Sequence, residues 1–511
     1  MSTPSSMQQS LQRLFTPETL RTAAKQTLGC HVIPVRLRRA IKTYLKEQEI
    51  VNMKRKVLRL TESFRVVKEA NRLLASSTGK ELVEDPMREG TGRRWKVGGV
   101  GVGGGDVGVL YGEDEVGAYV ATRMPAVYAA CYRVLREVKK RVPGFSPASV
   151  VDFGSGTGSG FWALRELWPN CIEKINLVEP SHSMQRAGQN LVQDAKKLPL
   201  IRSYGSIQSL SRDISKSERR HDLVLASYVL GEIPSLKDRI TIVRQLWDLT
   251  GDILVLVEPG TPEGSNIISQ MRSHILWMEK RKCRKQDKSS DGASQGADAP
   301  KNGAFVLAPC PHDGPCPLQK SGKYCHFVQR LQRTSSQRIY KRSKGGALRG
   351  YEDEKFSYVV LKRGKRPQES WPLDGIKFET LKELHAKRDP AELEIDYEDQ
   401  FTTESEEDDE LSQEEDRSMY DSDIPEPDAT TESEDVVDEE EDEVQAGLGS
   451  GWGRIVFPVQ KAGKRIEFDV CRSSKRDGSE GSFNHIVVTQ AKNPALHRQA
   501  RKSRWGDLWP F

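Results

Sequence analysis

The chain has 511 residues, of which 36% are hydrophobic and 30% charged, a length that allows two or three domains with cores of their own. No apolar run approaches the roughly 20 residues needed to cross a bilayer, so no membrane span is expected. The net charge of +5 hides a strong segregation, because residues 401–444 hold 22 acids and one base, Arg417, leaving +26 on the rest. A remainder that basic points to a polyanionic partner, nucleic acid first, over a merely solvated basic surface.

The first 46 residues carry Arg13, Arg21, Lys25, Arg36, Arg38, Arg39, Lys42 and Lys46 against one acid, Glu18. Such a basic, acid-poor start is compatible with a mitochondrial transit peptide over residues 1–35, the other reading being a basic surface helix in Val35–Tyr44. Residues 36–135 are expected to be a helical region, with apolar positions three and four apart through Leu37–Leu74 and again from Ala118. Gly98–Gly108 (GGVGVGGGDVG) lacks a strand–turn–helix setting and reads as a flexible linker.

From 136 to 280 the pattern alternates. ASVVDF, Lys174–Glu179, Asp222–Ser227 and Asp252–Pro259 read as strands, with helices at Phe161–Leu167, Ser183–Lys196 and Leu236–Leu249. Strands apolar throughout and separated by helices describe an α/β fold with a parallel sheet covered on both faces. Residues 281–303 read as a loop, 304–365 as a cysteine segment with a basic helix, and Phe356–Arg363 within it as a strand returning to a sheet. The acidic insert, 366–450, cannot bury enough apolar surface to order itself. In 451–511, GWGRIVFPVQ and KRIEFDVC suggest a β-hairpin ahead of a basic tail.

Three motifs carry chemistry. In VVDFGSGTGSG, Gly154, Gly156 and Gly158 follow a strand and precede a helix, so the backbone can approach a ligand and the helix offers free N–H donors. Glu179 ends the next strand, where an acid accepts ribose hydroxyls, and Asp152 can meet a ligand ammonium or orient the loop. The D-x-G-x-G-x-G spacing differs from the dinucleotide G-x-G-x-x-G and favours S-adenosylmethionine over NAD. Ser227 belongs to the Ala226–Val229 strand end, where Tyr228 and the nearby Glu232 are candidates to line a substrate pocket but no committed base is seen.

Cys310, Cys316 and Cys325 are separated by five and eight residues. Thiolates brought together without oxidation need a soft metal. Three are too few for a closed four-thiolate site, and Cys471 is the one cysteine of the C-terminal segment. The residues leave zinc, with His312 or His326, and an iron–sulfur cluster both open. Arg330, Arg333, Arg338, Lys341, Arg342 and Lys344 form an acid-free run suited to RNA phosphates, or else a solvated face.

VVDFGSGTGSG, LVEPSHSM, LVLASYVLGEI and LVLVEPGTPEG resemble class I methyltransferases. ATRMPAVYAACYRVLREV and CPHDGPCPL resemble the mitochondrial methyltransferase-like protein 17 family of small-ribosomal-subunit assembly factors. That resemblance implies a Rossmann-like domain binding S-adenosylmethionine and a [4Fe-4S] cluster on Cys310, Cys316, Cys325 and Cys471. It also implies a mitochondrial matrix location and a partnership with the small-subunit rRNA and proteins, the chain itself being expected as a monomer. Catalysis is expected to be weak or absent, since the Ala226–Val229 strand end has neither the Asn/Asp-Pro-Pro-aromatic tetrad of base-nitrogen methylation nor a cysteine nucleophile. An active rRNA methyltransferase is the alternative.

Overall fold

The computed structural model describes residues 21, 23–48, 52–77, 111–142, 144–215, 218–233, 235–287, 303–341, 349–367, 452–475 and 477–509. The glycine-rich linker and nearly all of the acidic insert lie outside the described residues. Among the described residues no helix is long and apolar enough to cross a membrane.

Among the described residues the helices α1 (Val35–Glu47), α2 (Met53–Ser77), α3 (Glu113–Thr122) and α4 (Met124–Arg141) precede the sheet. Then come β1 (Ser149–Phe153), α5 (Ser159–Leu167), β2 (Lys174–Val178), α6 (His182–Val192), β3 (Leu200–Tyr204), α7 (Ile207–Asp213), β4 (His221–Ser227), α8 (Leu236–Leu249), β5 (Thr250–Pro259) and α9 (Pro262–Asp287). The main sheet is closed by β6 (Ala304–Ala308), β7 (Phe327–Gln332) and β8 (Tyr351–Arg363), with a short α10 (Ser335–Tyr340) before β8.

The strand order is β3-β2-β1-β4-β5-β8-β6, with β7 also on β8. β1 to β5 are parallel, while β8 runs antiparallel to β5, β6 and β7. Strict alternation along the central strands separates two cores. Val150, Leu223, Leu225, Ile253, Val255, Val257 and Val360 face α4, α5 and α6. Val151, Val224, Ala226, Leu254, Leu256, Val359 and Leu361 face α7, α8 and α9. Both faces being covered is why these strands read as continuous apolar runs.

Four features differ from the sequence expectation. β3 was not anticipated, because at the sheet edge it buries only Tyr204 fully. Residues 304–365 do not stand apart from the Rossmann-like sheet but supply three of its strands. The basic run begins as the strand β7 instead of a helix, since every second residue of FVQRLQ is covered on β8. Part of the expected leader is folded. Ala23, Gln26 and Ile33 are buried, His31 bridges to Leu331 of β7, and Asp507 accepts from the backbone of Gln26 and Thr27, each at 2.8 Å.

A smaller sheet follows from β9 (Gly453–Ile455), β10 (Gln460–Ala462), β11 (Arg465–Ser473), β12 (Gly481–Thr489) and β13 (Leu508–Trp509), with α11 (Pro494–Lys502) packed on it. The anticipated hairpin exists, with β9 and β10 both pairing with β11. This sheet is joined to the first by one buried anion. Glu137 of α4 is fully buried and accepts from Arg133 at 3.2 Å, Arg141 at 2.8 Å, the Tyr358 hydroxyl at 2.8 Å and Arg454 of β9. Arg454 also donates to the carbonyls of Pro309 and Gly506. Although burial opposes ionisation, Arg454, Arg141 and Arg133 together hold the Glu137 carboxyl far below its ordinary range.

Removing one member of such a network strands the other charges in a dry interior, at a cost of about 3–5 kcal/mol. Arg454→Met is therefore expected to lower stability by that amount in urea unfolding, and adding Glu137→Leu to lower it further, because Arg133 and Arg141 then lose their carboxylate. A wild-type midpoint for the single substitution would show that the contact does not hold the sheets together.

Candidate cofactor and cysteine sites

The three loop glycines all have left-handed backbones, with φ of +68° at Gly154, +52° at Gly156 and +87° at Gly158. At Gly154 a Cβ would also lie 2.5 Å from the Val229 side chain, so no other residue fits. The loop thus passes tightly under the end of β4 and caps α5 with Gly158.

Four carboxylates gather at the carboxyl ends of the parallel strands, where open α/β sheets bind their ligands. Asp152 is fully buried, and neither of its oxygens has a hydrogen-bond partner. Burial, then Glu179, pushes its pKa up to about 8. Glu179 accepts from the Gly156 and Ser181 backbone N–H groups, both at 2.9 Å, while burial still raises its pKa. Glu232 is raised to about 8 by burial and by Glu179 and Glu258, although the Tyr111 hydroxyl bonds to it. Glu258 accepts from Leu230 and Gly231 and is raised to about 7 by burial. The sequence pointed to Asp152 and Glu179 for the cofactor and to Glu232 for a substrate pocket, but missed Glu258. Its signal is an acid at the end of an apolar parallel strand, as in LVEP.

Ser227 is buried at the end of β4, beside the Cys131 thiol. Tyr228 follows with a positive φ of 59°, a strained conformation for a bulky residue. Its hydroxyl donates to Glu354 at 2.8 Å, and Arg123 grips that carboxylate at 2.6 and 2.8 Å while lying 4.9 Å from the Tyr228 ring centre. Glu354 also lines a cleft of about 360 Å³ with Arg333, Lys341, Arg349, Tyr351, Glu352 and Asp353.

That cleft changes the reading of the basic run. Arg330 pairs with Asp353 at 2.8 Å, and Arg333 and Lys341 share Glu352 at 3.3 and 2.7 Å. The acids lie on β8, opposite the run in space though distant in sequence. Arg338 is exposed, and Arg342 and Lys344 lie outside the described residues.

The four cysteines are free, and the fold places them within electrostatic reach of one another. Burial raises the pKa of Cys325, and Cys310, Cys316 and Cys471 raise it further. Burial followed by Cys310 and Cys316 does the same to Cys471. The loop bearing the first two thiols is clamped by Arg272 of α9, which donates to the carbonyls of His312 and Gly314 at 2.9 and 2.8 Å. His312 is fully buried with Nε2 3.4 Å from the Cys471 sulfur, whereas His326 packs on the rings of Tyr324 and Trp505. Among the described residues no group of three or more His, Cys, Asp or Glu is gathered so as to hold a metal ion.

Five parallel strands in the order 3-2-1-4-5, an antiparallel strand inserted beyond the fifth, and a glycine loop after the first define the class I methyltransferase fold. The chain belongs to the family described as mitochondrial small ribosomal subunit Rsm22, whose sequence pattern matches residues 113–373 and 385–510. It is 32% identical over 258 residues to the human mitochondrial ribosome assembly protein METTL17, covering 50% of each chain. It is 26% identical over 413 residues to the fission-yeast (Schizosaccharomyces pombe) mitochondrial Rsm22-cox11 tandem protein 2, covering 78% of this chain and 43% of that one. The budding-yeast (Saccharomyces cerevisiae) mitochondrial ribosome assembly protein RSM22 is 23% identical over 462 residues, covering 77% and 67%. The chain thus spans about half the length of the first curated relatives it matches. Their names bear out the mitochondrial location expected from the resemblance. Among solved structures, a SAM-dependent methyltransferase from Agrobacterium tumefaciens matches with a TM-score of 0.27 and 12% identity, covering 46% of this chain and 62% of that one.

A carboxyl whose pKa is raised by folding favours the folded state when protonated. Its penalty is absent below the unfolded pKa and complete above the folded one. For Asp152 that window runs from about 4 to about 8. Asp152→Asn should therefore gain stability relative to wild type as pH rises from 6 to 8, by up to about 2.5 kcal/mol. Thermal unfolding at both pH values measures this, and a pH-independent difference would contradict a buried, unpartnered carboxyl.

Proposed function

We propose that the chain is an assembly factor of the mitochondrial small ribosomal subunit. It binds rRNA, holds S-adenosylmethionine at the carboxyl ends of β1, β2 and β4, and carries a structural [4Fe-4S] cluster on Cys310, Cys316, Cys325 and Cys471. The observation that carries this reading is the convergence of four free thiols from two segments separated by the acidic insert. Burial and their neighbours raise the pKa values of Cys316, Cys325 and Cys471, so these thiols need a cationic centre to become thiolates together. The family resemblance assigns these thiolates to a cluster, which meets each one at a separate iron. When bound, the cluster supplies charge neutralisation and a rigid cross-link between the loop and β11.

The carboxylate pocket suits a cationic ligand. Burial raises the pKa of Asp152, Glu179, Glu232 and Glu258, and Glu179 raises Asp152 and Glu232 further, while S-adenosylmethionine brings a sulfonium and an ammonium. Gly156 leaves open space where a Cβ would stand, and Glu179 has the position of a ribose acceptor. Tyr228 has its hydroxyl committed to Glu354, which leaves the strand end without a free proton acceptor. The cofactor thereby acts as part of the scaffold, and methyl transfer is weak or absent.

Protein purified without oxygen should contain iron and acid-labile sulfide, both lost in Cys471→Ser. Stoichiometric zinc without sulfide would overturn the cluster. Gly156→Arg should weaken S-adenosylmethionine binding at least about a hundredfold by calorimetry. Wild-type affinity should fall as pH drops from 8 to 6, because protonating the pocket acids removes the charge that meets the ligand. Sedimentation of the protein unchanged after ribosome removal would count against the assembly role, and efficient methylation of small-subunit rRNA would replace the scaffold reading by an enzymatic one.

A further inference from the structure

With Arg330, Arg333 and Lys341 paired to acids of β8, a dense run of uncompensated positive charge remains elsewhere in the described structure. Residues 35–60 hold nine Lys and Arg against two acids, and they fall outside the span matched by the family pattern. Arg36, Arg38, Arg39, Lys42 and Lys46 of α1 are all exposed, as are Lys54, Arg55 and Arg59 of α2. Among the described residues the side chains of Arg38, Arg39, Lys46, Lys54, Arg55 and Arg59 have no ion-pair or hydrogen-bond partner.

The charges stand on a rigid base. α1 buries Leu37, Ile41 and Tyr44, which leaves Arg39, Lys42 and Lys46, three and four residues apart, on its outer side. α2 buries Met53 and Leu60 against Ala118 and Ala121 of α3, and its Asn71 donates to the Gly231 carbonyl at 2.8 Å. The helix then changes character, for beyond Arg59 the exposed pairs Glu62–Arg65 and Glu69–Arg72 cancel their own charge. Neither helix has an acid in its first turn, and cations there oppose the helix dipole. Local stability therefore does not account for the pattern. The field extends to Arg165 of α5, whose pKa is lowered by burial and by Arg36.

We infer that the outer face of α1 and the first turns of α2 form the chain's principal RNA-phosphate contact surface. This rests on the RNA-binding reading above and relocates it from β7 and α10 to the N-terminal helices. A phosphate backbone is the partner that fits, because the surface offers many exposed cations while Leu37, Ile41 and Tyr44 of α1 are turned into the core, and exposed Val35 and Leu58 are too little apolar surface to lay in a membrane.

The test uses the full chain, a fluorescently labelled mixed-sequence RNA hairpin, and anisotropy titrations from about 50 to 200 mM KCl. Arg38→Gln/Arg39→Gln/Arg55→Gln/Arg59→Gln should bind at least about tenfold more weakly at 100 mM and lower the log–log salt slope by roughly two to four. Its melting temperature should stay unchanged, since these side chains are exposed. Arg330→Gln/Arg338→Gln should change binding less than about threefold. Wild-type affinity in the quadruple variant would overturn the inference while leaving RNA binding in place. Failure of the wild-type chain to bind would remove the RNA reading itself and the inference with it. Loss of binding to phosphatidylcholine–cardiolipin vesicles with RNA binding intact would assign the surface to lipid and overturn it as well.

Discussion

The two sheets are held as one body by the buried charge of Glu137. Its carboxylate meets α4, β8 and β9 at a single point, and Arg454 carries the connection on to the carbonyl of Pro309 beside the first cysteine. The smaller sheet has a compact apolar cluster of its own, centred on Phe468, Val470 and Trp509. Its placement relative to the cysteine loop combines this ion pairing with direct contacts, among them the Asp313 N–H on the Gly478 carbonyl at 2.7 Å. Such ion pairs add little net stability but penalise every misaligned arrangement heavily. The position of Cys471 opposite Cys310 and Cys316 is thus fixed by electrostatics as much as by packing.

The same physics runs with opposite sign at the other end of the sheet. There acids outnumber their cations, and Asp152 has no partner at all. One buried carboxylate is over-compensated by three guanidinium groups, while a cluster of four is under-compensated. The first arrangement is complete without a ligand, and the second calls for one. That contrast separates the structural centre of the molecule from its binding centre.

Much of the main sheet was legible because its central strands are apolar on both faces and the loop glycines follow β1 directly. β3 was not, since an edge strand that fully buries only Tyr204 carries little pattern. α9 was not anticipated, and its last turns, 281–287, fall in the stretch expected as a loop because their composition is polar. The neutralisation of Arg330 and Arg333 could not be read from their neighbours, because antiparallel pairing brings Asp353 and Glu352 across from a strand some 20 residues away. The grouping of the thiols was legible only through the family resemblance, as spacing within one loop says nothing about a fourth residue beyond a long insert. The folded stretch at 23–33 was masked by its basic composition, which suits a leader and a strap along β7 equally.

That strap has a consequence for how the molecule is completed. Thr27 donates to Asp507, and the backbone of His31 bonds to Arg330 and Gln332, so the first described residues are locked by nearly the last. A chain emerging into a compartment from its amino end cannot close this seam until its carboxyl end has arrived. Cys471 arrives in the same late stretch. Any chain cut short before β11 lacks the fourth thiol and the Asp507 anchor together, leaving the strap loose and the loop cysteines open. Closure of the strap and the arrival of Cys471 near the loop cysteines therefore depend on the same late stretch of chain.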